Sequence, residues 1–226
     1  TGSLALGNSV FYSFHKEKGG GIAVIEVDGD KRTLGGHRVL YESTLFRKPG
    51  KVRVSRDGRF VVCISEHVNS PNVVVLDTHS EPMLLHELEM DEKPTSVRVH
   101  GNHAVVLCDD GPVILVDLSR GAVVESFLSR KDLQPTGNQP EAMQFNADGS
   151  RAVVTYQKDH KKGEHLGCRV VIFKIPELVV EHDLPLPRTH PDLHTSGIRA
   201  EQGPNPEEII LLHDVDRVAI SLDLYG

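Results

Sequence analysis

Apolar residues in this chain fall in short runs of about four to six, and polar turns separate the runs at near-regular intervals. The runs come in pairs at 60–64 with 73–76, 104–107 with 113–116, 152–156 with 170–173, and 209–212 with 218–222. Val and Ile dominate them, and a β-branched side chain suits a pleated strand better than a helix. Their length predicts strands as well, since helices need longer periodic stretches. A segment of alternating character precedes each pair: Pro49-Gly50-Lys51-Val52-Arg53-Val54, Pro94-Thr95-Ser96-Val97-Arg98-Val99, Pro140-Glu141-Ala142-Met143-Gln144-Phe145, and a degenerate Thr195-Ser196-Gly197-Ile198-Arg199-Ala200. Val52, Val54, Val97, Val99, Met143 and Phe145 are the expected core anchors of these strands. No helical period interrupts the series.

The first three of these segments start at prolines 49, 94 and 140, so the pattern repeats about every 45 residues. Each is followed by a turn (Arg56-Asp57-Gly58, Gly101-Asn102, Ala147-Asp148-Gly149, Gly203-Pro204-Asn205), two apolar runs and, in three repeats, a less regular fourth strand such as MLLHELE or VVESF. SVFYSFH, GIAVIEVD and HRVLYEST supply the later strands of a preceding repeat. Four antiparallel strands per repeat at this period predict an all-β fold, a β-propeller of about five blades. The xxDG turns and the VVVLDT and VILVDL strands resemble the YVTN/WD40-like propeller repeats over nearly the whole chain. The chain has no Trp and no GH...WD pair.

Strand counting predicts three strands in the first repeat, four in each of the next three and three in the last, with SLAL a candidate for one more. A single propeller domain over 1–226 is then either a closed five-bladed ring or part of a larger one. The first repeat lacks its innermost strand and the last its outermost, which favours an incomplete arc. Such an arc exposes sheet edges that would pair with another copy or with a missing propeller segment.

Composition narrows the class. With 38% hydrophobic and 25% charged residues the chain can bury a core, and a net charge of -7 argues against nucleic acid or an anionic membrane as the main partner. No apolar stretch is long enough for a membrane span, and TGSLALGNSV lacks the pattern of a signal peptide. The chain reads as soluble, and exported, periplasmic and cytoplasmic origins all stay open. Cys63, Cys108 and Cys168 fit neither a disulfide framework nor a CxxC site, and Cys63 and Cys108 end apolar runs as small hydrophobes.

Candidate chemistry lies where the propeller resemblance puts a channel face, on the loops FRKPGK, MDEKPTS, GNQPEA and HTSG and the first strands that follow. Between the two apolar anchors of those strands stand Arg53, Arg98, Gln144 and Arg199, with Glu141 in the loop before Gln144. Converging guanidiniums would suit a carboxylate, phosphate or acidic side chain. The alternative is that each Arg packs its stem between blades and pairs with a nearby Asp or Glu. His182, Asp183, His190, Asp192 and His194 have metal-ligand chemistry, but their spacing matches no established site and the three prolines among them indicate a solvated connector. KDHKKGEH at 158–165 reads as a charged hairpin tip. Nucleophile-elbow, phosphate-loop and HExxH motifs are absent, and the sequence leaves any cofactor unknown. The expectation is a non-catalytic binding or scaffold propeller recognising a protein segment or an anionic small molecule. The competing reading is a lactonase-like propeller hydrolase with a site at the channel mouth.

Overall fold

The computed structural model of the protein describes residues 3–28, 33–68, 71–80, 83–109, 112–128, 139–157, 169–185, 198–205, 208–213 and 218–223. Among them there is no helix, and none long and apolar enough to cross a membrane. Five antiparallel sheets follow one another along the chain. The first contains β1 (Ser3–Leu6), β2 (Ser9–His15), β3 (Gly20–Asp28) and β4 (Thr33–Ser43), and the second β5 (Pro49–Val54), β6 (Phe60–Ser65), β7 (Val73–Asp77) and β8 (Leu84–Leu88). The third contains β9 (Pro94–His100), β10 (His103–Cys108), β11 (Pro112–Asp117) and β12 (Ala122–Leu128). The fourth contains β13 (Gln139–Phe145), β14 (Arg151–Gln157), β15 (Arg169–Lys174) and β16 (Val179–Pro185), and the fifth β17 (Ile198–Gln202), β18 (Glu208–His213) and β19 (Val218–Asp223).

In every sheet the strands pair in chain order. SLAL forms β1, pairing Ser3 to Leu6 with Tyr12 to Ser9, so the first sheet has four strands and the expected shortage there is corrected. SLAL, the candidate for one more strand, is thus a strand, and its Leu4 and Leu6 pack against the core of that region.

The chain forms two compact units, residues 1–108 with Val116–Val124, and Asp109–Leu115 with Glu125–Gly226. In the first, Phe11, Ile22, Val24 and Tyr41 of the first sheet pack with Val52, Val54, Val61, Cys63, Val74 and Leu76 of the second. In the other, Val153, Val170 and Ile172 pack with Ala200, Ile209 and Leu211. All residues of β6 and β7 are buried, which is why they read as unbroken apolar runs. Each fully buried Val or Ile contributes about 1.5–3 kcal/mol. The first strand of the second sheet instead alternates over 52–54, with buried Val52 and Val54 on either side of half-buried Arg53. Val97, Met143 and Phe145 are buried as expected, whereas Val99 is only half-buried. Val99 lies opposite the small Ala104, next to the Gly101 turn, where less of the neighbouring strand covers it.

The xxDG turns carry their own hydrogen bonds. After β5, Ser55 Oγ donates to Asp57 Oδ1 at 2.6 Å, Arg59 N donates to the same oxygen at 3.1 Å, and Phe60 N donates to Ser55 Oγ at 2.8 Å. Gly58 has φ +78°, a left-handed conformation that costs glycine little. After β13 the same frame recurs with Asn146 in the place of Ser55: Arg151 N donates to Asn146 Oδ1 at 2.9 Å and Ser150 N to Asp148 Oδ1 at 2.8 Å. Between β11 and β12, Gly121 (φ +58°) lies against His86 of β8.

Candidate functional site

The registers give the candidate residues one shared position. Arg53 pairs with Val62, Arg98 with Val105, Gln144 with Val153 and Arg199 with Leu212, each between its strand's two anchor positions. Side chains alternate across a strand, so an anchor facing the core turns its neighbour to the other side. Ala5, which pairs with Val10, occupies the corresponding place in β1 and offers no polar group there.

Within the first unit two of these residues come together with a third that the sequence reading did not single out. Lys51 stands two residues before Arg53, on the same side of β5, and its Nζ donates to the carbonyl oxygen of Thr95 on β9 at 2.7 Å. Arg53 Nη1 donates to Val52 O at 2.8 Å and Arg98 Nη1 to Val97 O at 3.3 Å. Both arginines are half-buried and Lys51 is exposed. Burial pushes the Arg53 guanidinium below its ordinary range. Arg98 is lowered by burial and then by the charge of Arg53. Lys51 is lowered by burial and by both arginines, with Glu66 acting in the opposite sense. The three cations therefore repel one another in a partly dehydrated setting.

The other half-buried arginines among the described residues are treated differently. Arg59 binds Asp77 through Nε (3.0 Å) and Nη2 (2.8 Å), Arg151 binds Glu181 through Nε (2.5 Å) and Nη2 (2.8 Å), and Arg169 binds Asp183 through the same two atoms. The Arg59 hydrogen bond holds the Asp77 carboxyl below the usual carboxylate range, and Arg151 does the same for Glu181. Arg53 and Arg98 face no carboxylate in an ion pair among the described residues.

The loop entering β5 is tied in place. Ser65 Oγ donates to Arg47 O, and Glu66 N donates to Lys48 O at 3.4 Å. Lys48 has φ +47°, a conformation that costs a residue with a Cβ about 1–2 kcal/mol. Arg47 and Lys48 are exposed and add positive charge next to Lys51.

The remaining sequence candidates divide. Gln144 is half-buried in the second unit, while the side chains of Glu141 and Arg199 lie outside the described residues, although both backbones are in strands. Asp183 is engaged by Arg169 and His182 is exposed, while His190, Asp192, His194 and the segment 158–165 lie outside the described residues. No group of three or more metal-ligating side chains occurs among the described residues. Cys63 and Cys108 are buried as expected, and burial pushes the Cys63 thiol up.

No family model matches the chain, and no curated protein does. Solved structures do. The β-propeller domain of Cps50 (Swd1) from Myceliophteria thermophila is similar with a TM-score of 0.65 and 14% identity, covering 100% of this chain and 66% of that one. Hydrazine synthase of Kuenenia stuttgartiensis is similar with a TM-score of 0.61 and 18% identity, covering 92% of this chain and 53% of that one. The chain thus spans between about half and two-thirds of the length of these structures. At such identities the likeness is one of fold: the chain has a β-propeller fold, and its antiparallel sheets are the blades.

Proposed function

We propose that this chain is a non-catalytic β-propeller binding module that recognises an anionic group, on a protein segment or a small molecule, through the first strands of its blades. The observation that carries this reading is the contrast among half-buried arginines: Arg59, Arg151 and Arg169 hold carboxylates of their own chain, and Arg53 and Arg98 hold none among the described residues. Desolvating a cation without a counter-charge costs stability, and an acidic partner recovers that cost. Gln144 and Arg199 hold the same register in the other unit, and we assign them the same role there, with Glu141 at the bulge between Pro140 and Ala142 marking the edge of the row.

Fluorescence anisotropy with a labelled oligoglutamate peptide tests the reading. Binding should weaken as salt rises, because screening shortens the reach of partly exposed charges. Arg53→Ala and Arg98→Ala should each cost about 1.5 kcal/mol, the lower end of the range for a hydrogen bond to a charged group, since both side chains keep contact with water. Exposed Arg56→Ala should change nothing. Equal affinity for the wild type and the Arg53→Ala/Arg98→Ala double variant would remove the cluster from the binding surface.

A further inference from the structure

We infer that Lys51, Arg53 and Arg98 form a site for a phosphoryl group, either free inorganic phosphate or a phosphate ester on a peptide. The inference rests on the proposed anion-binding role and names its ligand.

Three features point to phosphate over carboxylate. The first is the part of each guanidinium already in use. Arg53 and Arg98 each spend Nη1 on the backbone carbonyl of the preceding residue, at 2.8 Å and 3.3 Å. That bond orients the guanidinium plane, and among the described residues nothing occupies the Nε–Nη2 edge, the same fork that grips carboxylates at Arg59 and Arg151. Two open forks on neighbouring first strands ask for more acceptor oxygens than one carboxylate carries, and a phosphoryl group presents three.

Charge is the second feature. Lys51, Arg53 and Arg98 lie within electrostatic reach of one another, and among the described residues the acidic group that acts on Lys51 is the exposed Glu66. A monocarboxylate offsets one of three charges, whereas a phosphate monoester carries about -1.5 to -2 near neutral pH. The third is preorganisation. Thr95 O anchors the Lys51 ammonium from β9 at 2.7 Å, and the loop bearing Arg47 and Lys48 is pinned to the end of β6. An anion entering the site therefore orders little that is not already ordered. The overall charge of -7 makes this local excess of cations more selective for a compact, highly charged anion than for a diffuse acidic chain.

The experiment compares three probes at one ionic strength on the intact chain: inorganic phosphate, a phosphoserine peptide, and the same peptide with Glu in place of phosphoserine. Calorimetry reads the peptides, and ³¹P line broadening reads phosphate. The expected result is a Kd for the phosphoserine peptide at least tenfold below that of the Glu peptide, with inorganic phosphate competing for the site. Phosphate alone matching the phosphopeptide identifies the free anion as the ligand, and a tighter phosphopeptide identifies the ester. Arg53→Lys and Arg98→Lys keep the charge and lose the fork, and each should raise the phosphopeptide Kd about tenfold while the melting temperature stays within a degree or two of the wild type. Equal binding of the Glu and phosphoserine peptides, or lysine variants that bind like the wild type, overturns the phosphoryl assignment and leaves anion binding standing. Binding of none of the probes overturns both.

Discussion

Replacing Gly121 with alanine probes how tightly the β11–β12 turn is packed on β8. A Cβ built on Gly121 would overlap His86 Cγ, Nδ1 and Cβ, well inside the roughly 3.5–4.0 Å of comfortable carbon contact. Because His86 Cβ is among the struck atoms, no rotamer change clears the site, and β8 or the turn must shift. Overpacking of this kind costs about 1–3 kcal/mol, and the left-handed conformation at φ +58° adds about 1 kcal/mol for a residue with a Cβ. Gly121→Ala should therefore lose about 2–4 kcal/mol in urea unfolding followed by circular dichroism. Adding His86→Ala removes the ring atoms but not Cβ, so the double variant should recover about 1–2 kcal/mol relative to the sum of the single losses. Asn at 121 tolerates the backbone conformation yet carries the same Cβ, so it should rescue less than the ring deletion does. A loss below about 1 kcal/mol in Gly121→Ala, or strict additivity of the pair, would refute the packing argument.

Further outcomes follow from other contacts. Arg53→Met/Arg98→Met removes like charges that have no carboxylate partner among the described residues, so its melting temperature should equal or exceed that of the wild type, and a loss above about 1 kcal/mol would make the arginines structural. Asp77 has a depressed carboxyl pKa in the folded state, so its stabilisation is complete above the ordinary carboxylate range of about 4 and disappears as pH falls through the lower folded value. Asp77→Asn should accordingly be less stable than the wild type at neutral pH, with the difference shrinking under acid in a pH series of unfolding midpoints. In a Cys168→Ser background, Cys63 and Cys108 should resist a thiol reagent at pH 8 in the folded state and react fully in denaturant, since both are buried and Cys63 is held protonated. Rapid labelling of native protein would contradict the packing of β6 and β10.

Much of the fold was legible because two constraints act locally. The middle strands lie between covered faces, so 60–64 and 73–76 had to be apolar at every position, and the Asp-Gly turns write their hydrogen bonds into adjacent residues. The β1 strand stayed only a candidate in the sequence because its contribution to the core is two leucines. At the candidate site, alternation placed Arg53 and Arg98 between their anchors, and the same alternation could have flagged Lys51 two residues earlier. What no periodicity discloses is which arginines find a carboxylate. Arg59 meets Asp77 across a hairpin and Arg151 meets Glu181 two strands away, so pairing depends on register and on the third dimension. Asp183 shows the converse, since a residue with metal-ligand chemistry is engaged as the counter-ion of Arg169.

The turn between β5 and β6 makes a set of hydrogen bonds within residues 55–60, and its counterpart after β13 makes one within residues 146–151. Each hairpin can thus start to form once its own few residues are present, and each sheet grows by adding the next strand in the chain. The entropy lost in closing such short loops is small compared with that of pairing distant segments, which keeps contact order low for an all-β protein and favours fast assembly of individual blades. On the ribosome an early blade can complete its pairing while later blades have yet to be made, so the exposed strand edges most prone to misassociation are short-lived.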